Sequence, residues 1–152
     1  MEAKLQPKLL TMDFSNMNWL AIIAAAAAYF VLGAIWFGPV FGEAWVKGTG
    51  LTEEQIKSGG HGKMLGTAFT MSVVVSFGMA MFFFGNGIDP ENPMTLSMGA
   101  MYGGAMSGIF FVLPTKTMDY VMAQKPGSLI LIESLYHIVA FTIVGIILGV
   151  WQ

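Results

Sequence analysis

Four apolar runs of about twenty residues fill most of this chain, and none contains Lys, Arg or Asp. They cover residues 18–38, 64–84, 94–113 and 128–151, and Glu133 is the one carboxylate inside them. An α-helix rises 1.5 Å per residue, so about twenty residues cross the roughly 30 Å hydrocarbon core of a bilayer. Because lipid offers the backbone no hydrogen bonds, runs of this length are helical. The runs therefore predict an all-α integral membrane protein, an antiparallel bundle of four helices.

The composition leaves no room for a separate soluble domain. Of the 152 residues, 55% are hydrophobic and 11% are charged, whereas a soluble domain carries about 25% charged residues. We expect a single four-span domain over residues 18–151, after a polar arm at residues 1–17. The chain has seven Lys, no Arg and no Cys, so nucleic-acid binding, thiol catalysis and Cys-ligated metals are not expected. The expected partner is the lipid bilayer.

Sequence signals between the runs predict where helices begin and end. Pro39 should end the first run and Pro114 the third, because a proline ring cannot continue the helical hydrogen-bond ladder. Thr52 and Gln55 have the spacing of a capping box, which predicts a short helix over residues 53–57. The first loop is therefore expected to be partly ordered.

The aromatic residues agree with the limits of the runs. Trp and Tyr favour the headgroup level of a membrane, because one end of the side chain is apolar and the other is polar. Five such residues flank the runs and are predicted to be interfacial anchors. Trp19 and Trp151 would mark one interface, and the opposite interface would have Trp36, Trp45 and Tyr120.

A faint internal repeat occurs at an offset of 75 residues. Residues 33–39 match residues 108–114, and six residues after the proline of each segment comes Trp45 or Tyr120, each followed by Val. A duplicated two-helix hairpin would produce such a repeat. Chance similarity between apolar, aromatic segments would also produce it, so both explanations stay open.

The segment 36–45, Trp-Phe-Gly-Pro-Val-Phe-Gly-Glu-Ala-Trp, is the most distinctive part of the chain. Together with residues 17–22 and 50–54, it resembles the bacterial membrane family called domain of unknown function 1761. The resemblance extends over residues 17–151 and implies a compact four-helix protein of the bacterial inner membrane, with no assigned activity. In that family the positions of Glu133 and His137 are often an amide and an aromatic residue, so this pair would mark a subgroup.

Glu133 and His137 form the candidate polar site. They are four residues apart, which places them on one face of the fourth helix, roughly 8 and 14 Å into the span. Tyr102 of the third run is the predicted partner. An ionisable group at this depth suggests a proton relay, ion path or ligand site, and the alternative is a structural hydrogen-bonded pair between helices. Two ligands on one helix are too few for a metal, and no cofactor is expected.

Small residues predict tight helix packing. Ala100, Gly104 and Gly108 share one face of the third run, and Gly145 and Gly149 form a G-x-x-x-G pair in the fourth. Such residues allow helix backbones to approach closely in membranes. The contacts would lie within the monomer, in a homo-oligomer or in a larger membrane complex.

The chain contains no recognisable catalytic set. It has no phosphate-binding loop, no H-E-x-x-H and no G-x-S-x-G motif. An enzyme is therefore not expected. Two functions stay open: a non-enzymatic accessory or assembly component that acts through helix packing, and transport of a small solute, ion or proton that uses Glu133 and His137.

The distribution of Lys predicts the orientation in the membrane. The first and third loops carry five Lys and the terminal side carries two, so the positive-inside rule places these loops in the cytoplasm and both termini outside. Alkaline phosphatase needs disulfides, so when fused after Gln152 it should be active only if that terminus is outside. Activity of a cytoplasm-only reporter at the same position would reverse the topology.

Overall fold

A computed structural model of the chain describes residues 17–85 and 96–151, and its regular structure there is helical. Three helices are long and apolar enough to cross a membrane: Trp19–Val40, Gly62–Phe83 and Gly127–Val150. They correspond to the first, second and fourth predicted runs. The predicted polar arm, apart from Met17, and the second loop lie outside the described residues, so the prediction of a fourth span is taken up below as a proposal.

The described elements follow one another with short connections. They are α1 (Trp19–Ile35), a π-helical segment (Trp36–Val40), α2 (Gly42–Thr49), α3 (Glu53–Ser58), α4 (His61–Gly85), α5 (Leu96–Ala100), two π-helical segments (Met101–Met106 and Gly108–Val112), α6 (Leu113–Met122) and α7 (Gly127–Val150). From α5 to α6 the backbone stays helical throughout, and we call residues 96–122 the composite helix.

The composite helix corrects the prediction that Pro114 ends the third run. Helix α6 contains Pro114 in its first turn and continues to Met122. A π turn shifts the backbone hydrogen-bond register by one residue, and a proline in the turn that follows has no N–H that needs a partner. The hydroxyl of Thr115 donates to the carbonyl of Phe111, which partly satisfies the backbone there. Pro39 lies inside a π-helical segment in the same way.

The first loop is more ordered than the sequence predicts. The predicted capping box is confirmed, because Thr52 and Gln55 bond to each other's backbone N–H at the start of α3. Helix α2 was not predicted. It ends at Gly50, whose φ of 74° lies in the left-handed region that glycine adopts without strain.

Helix α7 is the centre of the fold. It packs against α1, α2, the composite helix and, to a lesser extent, α4, which packs mainly against α1. The core consists of small and aromatic side chains of α1 and α7, including Ala21, Ala25, Tyr29, Tyr136 and Ala140. Because small residues let backbones approach closely, van der Waals packing can hold these helices together without a hydrophobic driving force.

The composite helix meets α7 along a seam of glycines. A Cβ added at Gly103 would lie 2.6 Å from the Cα of Gly145, and one at Gly108 would lie 2.5 Å from the Cγ1 of Ile138. Gly104 lies against the side chain of Thr142. These pairs run in opposite directions along the two helices, so the packing is antiparallel.

Two other predicted packing residues lie on or beside this seam. A Cβ added at Gly99 would lie 3.5 Å from the Cα of Gly149. Ala100 is half-buried. The seam therefore occupies the small-residue face of the third run and makes its contacts within one chain.

The seam predicts that Gly104→Ala destabilises the protein, by about 1–3 kcal/mol, because the new methyl group would overlap Thr142. The matched control is Gly78→Ala in α4, where a Cβ would meet nothing within 4 Å. That change should be neutral or mildly stabilising, since alanine favours helix. Unfolding free energies in detergent would test this. Equal effects of the two changes would contradict the seam.

Candidate functional site

The carboxylate of Glu133, in the second turn of α7, is the centre of the polar site. Its Oε1 accepts a hydrogen bond from Trp45 Nε1 at 3.0 Å, and its Oε2 lies 2.8 Å from Lys116 Nζ. The hydroxyl of Tyr120 also donates to it. The Glu133 side chain is only 11% exposed. Both oxygens are therefore engaged by donors from two other elements, α2 and α6.

Helix α2 is held against the start of α7, and this brings Trp45 to Glu133. Gly48 allows the close approach, since an added Cβ would lie 2.7 Å from Leu129 Cγ. The ammonium of Lys125 donates to the carbonyl of Thr49 at 2.8 Å. A cation is favourable at this end of α2 because the last carbonyls of a helix carry partial negative charge.

The other tryptophan of the distinctive segment also binds α7. Trp36 Nε1 donates to the carbonyl of Ile132 at 3.1 Å. Between the two tryptophans, Phe37 packs edge-on against Trp45 and Tyr136, with ring centroids 5.8 and 4.9 Å apart. The segment 36–45 therefore anchors the first half of the chain to α7 on both sides of the Glu133 backbone.

His137 lies one turn further along α7 and has a different partner. Its Nδ1 shares a hydrogen bond of 2.8 Å with the hydroxyl of Tyr29 on α1. The hydroxyl of Tyr136 donates to the carbonyl of Tyr29 at 3.3 Å. The ring of His137 also packs against Phe141, with centroids 5.7 Å apart. Glu133 and His137 thus lie on one helix but bond to different elements.

The ion pair of Glu133 and Lys116 is asymmetric in exposure. The Lys116 side chain is 30% exposed, so it reaches water more easily than Glu133. Its ammonium also lies 5.6 Å from the ring centre of Tyr120, a cation–π contact. The pKa of Tyr120 is raised above its ordinary value, first by burial and then by its hydrogen bond to Glu133. Tyr120 therefore stays a neutral donor across the physiological pH range.

The predicted partnership of Tyr102 with the pair is wrong. The groups that contact the pair are those of Trp45, Lys116, Tyr120 and Tyr29. The antiparallel seam places Tyr102 level with the turn of α7 around residue 144, roughly 16 Å along the axis from Glu133. Its side chain is 38% exposed.

Lys116 is the site residue that the sequence analysis missed. It was assigned to a loop because Pro114 was expected to end the helix. A helix that continues through Pro114 places Lys116 and Tyr120, four residues apart, on one face. The internal repeat was the available signal, because it pairs Tyr120 with Trp45, and both contact Glu133.

The remaining predicted anchors lie at the other end of α1 and α7. Trp19 is 51% exposed and stacks on Phe77, and Trp151 is 44% exposed. The side-chain amide of Asn18 donates to the carbonyl of Trp151 at 3.3 Å, so these two ends are adjacent. Trp36, Trp45 and Tyr120 lie together at the opposite end, around Glu133.

The family follows from the whole length of the match. The model of a family described as protein of unknown function, DUF1761, matches residues 20–149. This chain belongs to the DUF1761 family. No curated protein and no solved structure matches it. In this DUF1761 protein, therefore, the geometry of the site has to carry the functional argument.

The hydrogen bond from Trp45 predicts that Trp45→Phe lowers the free energy of unfolding by about 1–2 kcal/mol, because a charged, mostly buried acceptor loses one donor. The control is Trp19→Phe, which keeps a ring next to Phe77 at an exposed position. It should cost less than half as much. Denaturant unfolding in detergent compares the two variants, and similar losses would argue against a bond that stabilises the site.

Proposed function

We propose that this protein is a non-enzymatic accessory or assembly component of the bacterial inner membrane, built as a bundle of four spanning helices. Three of those helices have the required length and composition. The composite helix supports the fourth, since residues 96–122 are helical and lie antiparallel to α7. By the distribution of Lys, the first and third loops would face the cytoplasm.

The observation that carries this proposal is the full coordination of Glu133. A carboxylate that loads and releases a solute must exchange its partners. Here one oxygen accepts from Trp45 and the other pairs with Lys116. Removing one partner of such a buried pair is strongly destabilising, because it leaves an uncompensated charge. The geometry therefore supports a group that joins helices.

The structure adds support for an internal duplication. Residues that the offset of 75 equates occupy similar places. Gly33 and Gly108 both meet α7, at Tyr136 and Ile138 respectively. Each proline-containing segment is associated with a π-helical segment and is followed by an α-helix. The aromatic residue of each half then contacts Glu133. We propose that the two halves are equivalent arms flanking α7.

The outward face of the composite helix supports a role in assembly. Phe110 is 64% exposed and Phe111 is 72% exposed. Aromatic side chains bury large areas and dominate interface energetics. A homo-oligomer or a larger membrane complex would cover this face, and lipid would cover it in a free monomer.

Transport is the second candidate, and the bond between His137 and Tyr29 favours it. The pair places two titratable groups one turn deeper than Glu133 on the same side of α7. Ionisable groups within spans commonly mark proton or ion paths. A path would need Glu133 and His137 to exchange a proton, directly or through water.

A flux assay distinguishes the two functions. We expect liposomes containing the protein to hold a pH gradient as long as empty liposomes, and Glu133→Gln to change nothing in this assay. The same variant should lower the unfolding free energy, because the ion pair with Lys116 is lost. Gradient collapse by the native protein, abolished in a folded Glu133→Gln variant, would establish transport instead.

A photocrosslinking amino acid at Phe110, in the cell membrane, tests the assembly role. We expect one defined cross-linked species of fixed size. The matched control is Val74 of α4, which is 55% exposed and should give only diffuse or lipid adducts. The same species from both positions, or none from Phe110, would contradict assembly through the composite helix.

A further inference from the structure

One carboxylate joins three elements at the same end of the fold. Glu133 belongs to α7, Trp45 to α2, and Lys116 and Tyr120 to α6. We call these four residues the clasp. Helices α2 and α6 come from different halves of the chain and meet α7 from different sides. Their polar contacts at this end depend on a single shared acceptor.

The charges in the clasp are unevenly distributed. Trp45 and Tyr120 are neutral donors, so Lys116 supplies the positive charge that contacts Glu133. A buried carboxylate is stable as an ion only while that charge is present. If the carboxylate takes up a proton, Lys116 loses its reason to stay beside it. Its side chain is already 30% exposed and has water within reach.

The closed clasp leaves one polar group without a partner. The hydroxyl of Ser134, beside Glu133 on α7, is buried and has no hydrogen-bond partner among the described residues. A buried, unsatisfied hydroxyl disfavours the closed state, and contact with water would satisfy it. The fold therefore contains both a charge that holds this end closed and a polar group that favours opening.

We propose that the clasp is a proton-controlled closure: when the carboxylate of Glu133 is protonated, α2 and α6 separate from α7, and the end of α7 that carries Ser134 and His137 becomes accessible to water. Opening is favoured as pH falls. The closure follows from the contacts of the clasp and does not depend on the accessory role proposed above.

The other titratable groups around Glu133 are consistent with this assignment. On α6 these are Lys116, Tyr120 and Asp119, the last acting on Tyr120 through its charge. On α7 the nearest is His137, which is bonded to Tyr29 of α1. Helix α2 contributes the neutral Trp45. Glu133 is therefore the acid in direct contact with both α2 and α6.

The test uses thiol accessibility, because the chain has no native Cys. Ser134→Cys places a thiol at a position that is 1% exposed. At pH 7.5 a charged, water-soluble thiosulfonate should modify it slowly in the otherwise native protein. With Glu133→Gln added, which mimics the protonated carboxylate, modification should be at least tenfold faster. An unchanged rate in a folded Glu133→Gln protein overturns the proposal.

A matched control separates opening from general loosening. Ser72→Cys lies in α4, is also 1% exposed in the native protein and should stay slow in both backgrounds. If both thiols become equally reactive, Glu133→Gln has only destabilised the bundle, and the closure is rejected.

A distance measurement keeps the test independent of thiol chemistry. Spin labels at Lys47→Cys on α2 and Met118→Cys on α6, both exposed positions, should give one distance population at pH 7.5. A second, longer population should appear as pH falls. Lys116→Met should move this change to higher pH, because the carboxylate without its cation takes up a proton more readily. Distances that do not depend on pH in both proteins would overturn the closure.

Discussion

The need to compensate one buried carboxylate organises this end of the molecule. Glu133 lies on the central helix, and its side chain is only 11% exposed. An ion in that position is costly unless it is paired and hydrogen-bonded. The protein meets this need with an ammonium and two neutral donors drawn from α2 and α6. The helices on both sides of α7 are therefore tied to it at one point.

The glycine seam makes this pairing possible. Lys116 reaches Glu133 because the composite helix lies almost in backbone contact with α7, where Gly103 meets Gly145 and Gly104 meets Thr142. The helix must also continue past Pro114, and the π-helical segment before it allows this. π-helical turns are frequent at functional sites. Here the local irregularity of the backbone positions the cation.

The same geometry frames the question of function. A site whose carboxylate has both oxygens engaged resembles a structural joint, and the exposed aromatic face of the composite helix suggests what such a protein could assemble with. The partial exposure of Lys116 and the unsatisfied hydroxyl of Ser134 indicate that the joint can open. Holding helices together and responding to protons are compatible roles, since one group can do both at different pH values.

The architecture was largely predictable from sequence because the bilayer imposes strict rules on length and polarity. Three of the four runs correspond to helices of spanning length, and Thr52 marked the start of α3. Glu133 and His137 could be chosen as site residues because ionisable groups are rare in such runs. The family resemblance was visible in the segment 36–45 and is confirmed over residues 20–149.

The partners of these residues could not be read from the sequence. Whether Tyr102 or Lys116 meets Glu133 depends on the register of two antiparallel helices, and that register is decided by which glycines interlock. Likewise, Pro114 ends a regular α-helix but not one that has just passed through a π turn. The sequence alone determined that a charge is buried among helices, because hydrophobicity and length are local properties. Only the tertiary structure decided which groups neutralise it, because contacts between distant segments depend on how whole helices pack.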